Sequence, residues 1–373
     1  MVCHNNDNNN NKSLMGNCLC RKKKTPRRDH TEQQMEETYN IMQLTQYGEL
    51  TPEEKQMLRS IQTVKSRRSY ENLVFEGGGV KGIAFCGVIK ILDEMGILPK
   101  IKRFAGSSAG SIIATFAALG FPSHEIMNVV GRMDFSKFVS NGIFPFGEVQ
   151  SMVNLTQDMG CNTGEAFNEF MEKWIHERTG NKNYTFLDLY HDLGKELVIT
   201  GTDVNRELTI YFSHHSHPHM PIKDAVRISM SVPIMFQPVK HNGDLFVDGG
   251  LFDNYPIHVF DGAFPGDPQA VNNLIPINPK TLGFKLLRDC DLPNMGIAKR
   301  EEVDGLKSFM IKLVEALYDS NERHYMRPSY WHRSVVIKVP NIPLTQFNVT
   351  SSTKKQMISS AESACEKYFK QDV

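Results

Sequence analysis

Two short segments, NLVFEGGGVKG (residues 72–82) and FAGSSAGS (residues 104–111), each carry an apolar run that ends in a small-residue turn. The runs NLVFE and IKRFAG have the length and composition of buried strands. Helical periodicity follows each turn, and Gly96 and Gly120 stand where helix C-caps belong. Two consecutive strand–turn–helix units predict parallel strands in an α/β domain.

The same alternation extends outward along the chain. Strand patterns recur at ELVITGTDV (196–204), ELTIYFS (207–213), DLFVDGG (244–250) and SVVIKVP (334–340), with helical patterns between and after them. The predicted organisation is a disordered Asn-rich and basic tail over 1–50, a packing helix over 51–70, an α/β core over 71–262, and helices and a strand over 263–373 that complete the same domain.

Composition excludes several classes of protein. Lysine plus arginine and aspartate plus glutamate each number 42, so the overall charge favours no nucleic-acid partner. Seven cysteines at irregular spacing argue against a disulfide scaffold and fit a reducing, cytoplasmic compartment. No stretch reaches the roughly 20 apolar residues of a membrane span, and the polar start of the sequence predicts no secretory signal.

The glycine cluster matches G-x-G-x-x-G through Gly77, Gly79 and Gly82, which is also a dinucleotide-binding fingerprint. That fingerprint needs an acidic residue at the end of the second strand, and IKRFAG has none. Glycine amides without neighbouring Cβ atoms also form anion sites. Beside a serine turn, such a site suits acyl transfer through an oxyanion; tight helix–strand packing is the alternative use of these glycines.

In G-x-S-x-G the nucleophile is the middle residue, which selects Ser108, with Gly106, Ala109 and Gly110 as its small neighbours. Ser107 is expected to be structural. No histidine stands in a comparable strand-end context. The HHSHPH loop (214–219) offers metal ligands, but a solvated loop is favoured there.

Asp248, followed by Gly249 and Gly250, does end a predicted strand. It would lie at the same edge as Ser108 if that strand runs parallel, although Asp-Gly is also a common turn signal. Spacing alone leaves this open. An aspartate pKa of ~3.9 is low for a general base, and burial would raise it.

Four blocks together resemble the patatin-like phospholipase family: EGGGVKG, GSSAG, SMSVPIMFQPV and VDGGLFDNYP, in that order. The resemblance implies a three-layer α/β/α fold with a mostly parallel central sheet and a Ser-Asp dyad without metal or cofactor. It implies Ser108 as nucleophile and Asp248 as base. It further implies an oxyanion hole at Gly77, Gly78, Gly79 and Val80, and it places Lys81 and Gly82 in the glycine motif.

The expected function is lipid acyl hydrolysis, with phospholipase A cleavage of glycerophospholipids through an acyl-serine favoured. A triacylglycerol lipase, a lysophospholipase, and a lipid-binding or regulatory module with little activity remain alternatives. The expected partners are an acyl lipid and the surface of a membrane, with no nucleic acid; the sequence names no activating protein.

Two further segments bear on membrane contact. If Met15 were a start site, Gly16, Cys18 and Cys20 could be acylated next to the basic run RKKKTPRR; a disordered basic tail is favoured. The apolar stretch NGIFPFGEVQSMV (141–153) is interpreted as packed core rather than as an interfacial lid.

Overall fold

The computed structural model describes residues 52–139, 158–271, 276–288, 302–324 and 328–370. The predicted tail over 1–50, with Gly16, Cys18 and Cys20, and the stretch 141–153 lie outside these residues. The described part of the chain forms ten strands and eleven α-helices.

The strands are β1 (Asn72–Phe75), β2 (Arg103–Gly106), β3 (Gly160–Asn162), β4 (Glu196–Asp203), β5 (Leu208–Phe212), β6 (Ile234–Phe236), β7 (Val239–His241), β8 (Asp244–Asp248), β9 (Thr281–Arg288) and β10 (Ser334–Val339).

The helices are α1 (Pro52–Arg67), α2 (Phe85–Glu94), α3 (Ala109–Ala118), α4 (Ser123–Val129), α5 (Glu165–Thr179), α6 (Phe186–Leu193), α7 (Ile222–Ser229), α8 (Pro268–Val271), α9 (Gly305–His324), α10 (Pro328–Trp331) and α11 (Ser351–Lys370). Short 3₁₀ turns cover Gly79–Ala84, Leu98–Lys100, Phe135–Phe138 and Gly249–Leu251.

The central sheet has eight strands, with the order β10-β9-β1-β2-β4-β8-β7 and with β5 also paired to β4. The five strands from β10 to β4 are mutually parallel, whereas β5, β7 and β8 join by antiparallel pairing. β3 and β6 form a separate parallel pair. The prediction of a mixed α/β fold with a mostly parallel central sheet is confirmed.

Strand β4 brings two other strands together end to end. Ile199 pairs with Gly106 of β2 on one side and with Phe212 of β5 on the other. Two residues further along, Gly201 pairs with Asp248 of β8, again opposite β5. β2 and β8 therefore lie on the same side of β4, running toward each other, and their carboxyl ends meet.

This topology corrects one step of the sequence argument. Asp248 was placed near Ser108 on the condition that its strand runs parallel, and β8 instead runs antiparallel to β4. Asp248 arrives at that place because β4 is eight residues long and β2 is four residues long. The extra length of β4 leaves room for β8 to approach from the opposite direction.

Alternating side chains of the strands separate two cores, as expected for period-2 strands. Leu73, Phe75 and Phe104 belong to the large core under the helices, whereas Val74 and Ala105 point to the other face. Helices α2, α3, α7 and α11 cover the first face. The second face is covered by the chain around Tyr255–Phe260 and by Tyr330 of α10, which form a thinner layer.

The N-terminal described helix, α1, places Ile61 and Val64 in buried positions. At the other end of the chain, α11 buries Met357, Ala361, Cys365 and Phe369 along one face. Among the described helices, none has the length and apolar character needed to cross a membrane.

Candidate active site

Ser108 stands at the sharp turn between β2 and α3. Its backbone has φ 47° and ψ −126°, which is unusual for a residue with a Cβ. The side chain is buried, with 2% of its surface exposed. Backbone strain of this kind concentrates at functional sites and is typical of a nucleophile turn between a strand and a helix.

The small residues around Ser108 are required by close packing. A Cβ on Gly106 would lie 2.4 Å from the carbonyl oxygen of Gly110, and one on Gly110 would lie 2.4 Å from that of Phe75. A Cβ on Gly82 would approach the Cβ of Ala109 to 2.7 Å. The two turns are thus packed directly against each other, and larger side chains would separate them.

Helix α7 holds the backbone of Ser108 in place. The Ser108 amide donates to Oγ of Ser229 at 2.9 Å, and the Ser108 hydroxyl lies 3.8 Å from Sδ of Met230. The Ser111 hydroxyl donates to the Ser108 carbonyl at 2.6 Å. Ser229 and Met230 belong to the SMSVP segment, one of the four blocks that carry the family resemblance.

Asp248 is fully buried where β8 ends. Its Oδ1 accepts a hydrogen bond of 2.7 Å from the Gly250 amide, and its Oδ2 has no hydrogen bond of standard geometry. Its backbone is fixed on both sides, because its amide donates to the Ser231 carbonyl at 2.9 Å and its carbonyl accepts from Thr202 Oγ1 at 2.9 Å. A Cβ on Gly249 would lie 2.1 Å from Oγ1 of Thr200, so this turn also has to be small.

Burial raises the pKa of Asp248 from 3.8 to about 7, because a charged carboxylate is poorly solvated there. The hydroxyl of Ser108, the amide of Gly250 and the hydroxyl of Tyr318 each act in the opposite direction by favouring the ionised form. The expectation that burial raises this pKa is confirmed, and a value near 7 suits a general base at neutral pH.

Tyr318, on α9, is a site residue that sequence reasoning missed. Burial and the nearby charge of Asp248 keep the pKa of its phenol well above the ordinary value of 10.0. The phenol therefore stays protonated and presents an O–H group toward the carboxylate. No local motif surrounds Tyr318 in the sequence, so only the fold reveals it.

The glycine loop is locked by Asn254. The Gly77 amide donates to the Asn254 carbonyl at 2.9 Å, and Nδ2 of Asn254 donates to the Gly77 carbonyl at 3.2 Å. A Cβ on Gly77 would lie 2.2 Å from Asn254 Oδ1 and 3.1 Å from the Ser108 Cβ. The Gly77 amide is already used by Asn254, which corrects its assignment as an oxyanion donor.

The next three amides of the loop are placed differently. Gly78, Gly79 and Val80 enter a 3₁₀ turn, and the Lys81 amide donates back to the Gly78 carbonyl at 3.1 Å. Within the described residues the amides of Gly78, Gly79 and Val80 donate no hydrogen bond, as is usual for the first N–H groups of a helix. Of these three residues, Gly78 lines the same pocket as Ser108.

Lys81 is buried, and its Nζ donates to the Ile342 carbonyl at 3.2 Å. A second buried lysine anchors the strand before the loop, since Lys285 of β9 forms an ion pair with the carboxylate of Glu76. The other oxygen of Glu76 accepts from the Leu286 amide at 2.6 Å. Glu76 thus ties the last residue before the glycines to the neighbouring strand, a role its sequence position did not suggest.

Ser108, Tyr318 and the first two glycines of the loop line one pocket, with a cavity volume of about 40 Å³. Its walls are Gly77, Gly78, Lys81, Ser108, Asn254, Leu286, Arg288, Glu315, Tyr318 and Leu344. Ser108 hydrogen-bonds to no histidine within the described residues. The buried His258 instead contacts Tyr211 at 3.2 Å and Asp253 at 3.6 Å.

Residues 73–261, about half of the chain, match the protein-family model of the patatin-like phospholipases. That match contains the glycine loop, the serine turn, the SMSVP segment and Asp248.

Individual relatives extend the comparison. Protein R571 of Acanthamoeba polyphaga mimivirus is 29% identical over 294 residues, which is 78% of this chain and 91% of the relative. A probable lipid hydrolase, 463L of Invertebrate iridescent virus 6, is 25% identical over 51% of this chain and 63% of its own length. The crystal structure of VipD from Legionella pneumophila shares the fold, with TM-score 0.52 and 17% identity over 81% of this chain and 67% of that chain.

The buried carboxyl of Asp248 should cost stability. In the folded chain it keeps its proton up to pH about 7, whereas the unfolded chain ionises near 3.8. The folded state then binds more protons between these values, so wild-type stability falls as pH rises from about 4 to about 7. We expect Asp248→Asn to be more stable than wild type by about 4 kcal/mol at pH 8.

Urea unfolding at pH 5, 6, 7 and 8 measures this effect. The advantage of Asp248→Asn should grow with pH and level off above pH about 7. An advantage of the same size at every pH would mean that the carboxyl is not held protonated by the fold.

Proposed function

This chain belongs to the patatin-like phospholipase family, and we propose that it hydrolyses acyl esters of glycerophospholipids, as a phospholipase A, through Ser108 and Asp248. The observation that carries the proposal is the meeting of these two residues. A strained, buried serine lies beside a buried aspartate with a pKa of about 7, next to backbone amides of a glycine loop that donate to no acceptor in the described part of the chain.

The first half of the reaction forms the acyl-serine. Asp248 accepts the proton of the Ser108 hydroxyl while Oγ attacks the ester carbonyl carbon. The carbonyl oxygen becomes an oxyanion and receives hydrogen bonds from the amides of Gly78, Gly79 and Val80. The C–O bond to the alcohol then breaks, and Asp248 returns the proton to the leaving oxygen.

The second half releases the fatty acid. A water molecule in the place of the departed alcohol gives its proton to Asp248 and attacks the acyl-serine carbonyl. The same amides stabilise the second oxyanion. Collapse of this intermediate breaks the bond to Oγ, and Ser108 recovers its proton from Asp248.

Nucleophile labelling and lipid hydrolysis test the dyad. A fluorophosphonate probe should label wild type and Ser107→Ala, whereas Ser108→Ala should lose labelling completely. Asp248→Asn should lower the labelling rate and phospholipid hydrolysis at least 100-fold, because the proton acceptor is removed. Labelling that is abolished by Ser107→Ala and retained by Ser108→Ala would reverse the assignment.

The products separate the alternatives. Fatty acid and lysophospholipid released from phospholipid vesicles support phospholipase A, whereas turnover confined to triacylglycerol or to lysophospholipid supports the other two hydrolases. Probe labelling without hydrolysis of any of these lipids would favour a lipid-binding module.

Tyr318 is expected to act through Asp248 rather than on the substrate. Because its hydroxyl lowers the pKa of Asp248, Tyr318→Phe should raise the apparent pKa of kcat/KM by about 0.5–1 unit. Measured against pH, the rate should rise through about 7 for wild type and at higher pH for the variant. Tyr255→Phe is the matched control, since that buried hydroxyl bonds to Ser334; an equal shift in both variants would contradict the role.

Contact with a lipid surface is part of the proposal, and α9 is its support. Large apolar side chains lie along one stripe of this helix and are about half exposed: Leu306 57%, Phe309 53%, Leu313 50% and Leu317 46%. Their spacing places them on one helical face. Glu315 and Tyr318 of the same helix line the Ser108 pocket, so a bilayer that covers this stripe would lie next to the reacting groups.

Glutamate substitutions on the stripe should distinguish binding to a lipid surface from the ester cleavage step. We expect the double variant Leu306→Glu/Leu313→Glu to lose at least tenfold in binding and hydrolysis of phospholipid vesicles, because two apolar side chains can no longer enter lipid. Hydrolysis of a soluble short-chain ester should be unchanged.

Leu193→Glu is the control for this experiment. Leu193 ends α6 and is 46% exposed, as Leu317 is, but it lies three residues before β4, at the end of that strand away from Ser108. Equal losses on vesicles for the control and the double variant would show that α9 is not the contact.

A further inference from the structure

A group of side chains that can bind a metal lies where the parallel strands β2 and β4 begin, at the opposite end of these strands from Ser108. Glu196 begins β4 and pairs with Arg103, the first residue of β2, whereas Ser108 follows Gly106 at the other end of that strand. The chain after β5 runs back along β4 from the Ile199–Phe212 pair. This return brings His214 and His215 to the start of β4.

One ligand atom from each of Glu196, His214 and His215 lies within 4.8 Å of the others. Ligand atoms around tetrahedral Zn²⁺ are about 3.3 Å apart, given Zn–N and Zn–O bonds of ~2.0–2.2 Å. Closing this gap requires rotation of at least one side chain. His215 has room for it, because 48% of its side chain is exposed.

Two buried polar atoms in the group lack a hydrogen bond within the described residues. Oε1 of Glu196 and Nδ1 of His214 are buried, and neither has a hydrogen-bond partner in the described structure. Oε1 lies 3.8 Å from Nε2 of His215, which is too long for a hydrogen bond. Leaving buried acceptors without partners is costly, and a cation bound between them would satisfy them.

The surroundings hold the group in place. Tyr190 of α6 stacks on the ring of His214, with centroids 4.1 Å apart and planes 8° apart. The His214 and His215 rings are 4.0 Å apart. The Arg103 side chain interacts electrostatically with Glu196, and the His191 side chain with His214. The coordination energy of a bound cation must therefore outweigh its repulsion from these basic side chains.

The structure assigns a divalent transition-metal site to Glu196, His214 and His215, with Zn²⁺ as the expected ion. Two imidazoles and one carboxylate are a zinc-type ligand set, whereas Mg²⁺ and Ca²⁺ prefer oxygen ligands throughout. The ion joins the chain after β5 to the first residue of β4 and lies at the edge opposite Ser108. Its role is to fix the loop rather than to take part in ester cleavage.

Calorimetric titration of Zn²⁺ into the full, reduced chain tests the site. Wild type should bind one equivalent that is lost, or weakened at least tenfold, in both Glu196→Gln and His215→Ala. His219→Ala is the matched control, because His219 is an exposed histidine of the same loop outside the ligand group. Zn²⁺ should raise the Tm of wild type and of the control by about 3 °C and leave the two ligand variants unchanged.

Co²⁺ identifies the ligands. The cobalt-loaded chain should show d–d absorption without the thiolate charge-transfer band that cysteine ligation produces. The site would be overturned if both ligand variants bound zinc as tightly as wild type. It would also be overturned if the cobalt-loaded chain showed a thiolate charge-transfer band that persisted in both variants. Glu196→Gln conserves side-chain volume, so the test stands even if His215→Ala fails to fold.

Discussion

The structure depends on the length of β4. Because this strand extends beyond the end of β2, a second strand can pair with the same side of β4 from the opposite direction. The carboxyl ends of β2 and β8 then face each other across the position of Thr200. Ser108 comes two residues after the end of β2, and Asp248 is the last residue of β8. The small residues at both turns follow from this crowding, since a Cβ on Gly249 would reach Thr200 and a Cβ on Gly106 would reach Gly110. The pairing register of β2 and β8 with β4 therefore determines that Ser108 and Asp248 come together.

Helix α9 links the surface of the molecule to the carboxylate. One of its faces carries the exposed apolar stripe, and Val314 and Tyr318 on another face pack into a separate buried cluster. Tyr318 influences the ionisation of Asp248, so the helix that we propose to meet lipid also sets the environment of the proposed base. A group with a pKa of about 7 is close to half ionised at neutral pH. Its charge is then most sensitive to small changes around it.

Much of this arrangement could be predicted from the sequence. The paired strand–turn–helix units and the choice of Ser108 over Ser107 follow from local patterns, because turns and apolar periodicity are local properties. The role of Asp248 did not follow from its local pattern and was implied only by the family resemblance. The direction of β8 could not be predicted, since antiparallel pairing to β4 depends on a partner more than 40 residues away in sequence. Tyr318 and Glu76 were missed for the same reason, and the use of the Gly77 amide by Asn254 became visible only when the two loops were placed together. The sequence also suggested a solvated loop at His214, where long-range pairing produces a half-buried ring stacked on Tyr190.

A serine nucleophile is commonly activated by an imidazole. An imidazole serves because its ordinary pKa of ~6.5 is near neutral and because a third residue orients it. Burial gives the Asp248 carboxyl a pKa of about 7, which supplies comparable base strength. Orientation comes from the backbone and the neighbouring strands, through Gly250, Ser231 and Thr202. A carboxylate held in this way needs no third residue, and its cost is the stability lost by burying a charge. In this proposed dyad, the fold itself does what the aspartate of a triad does for its histidine.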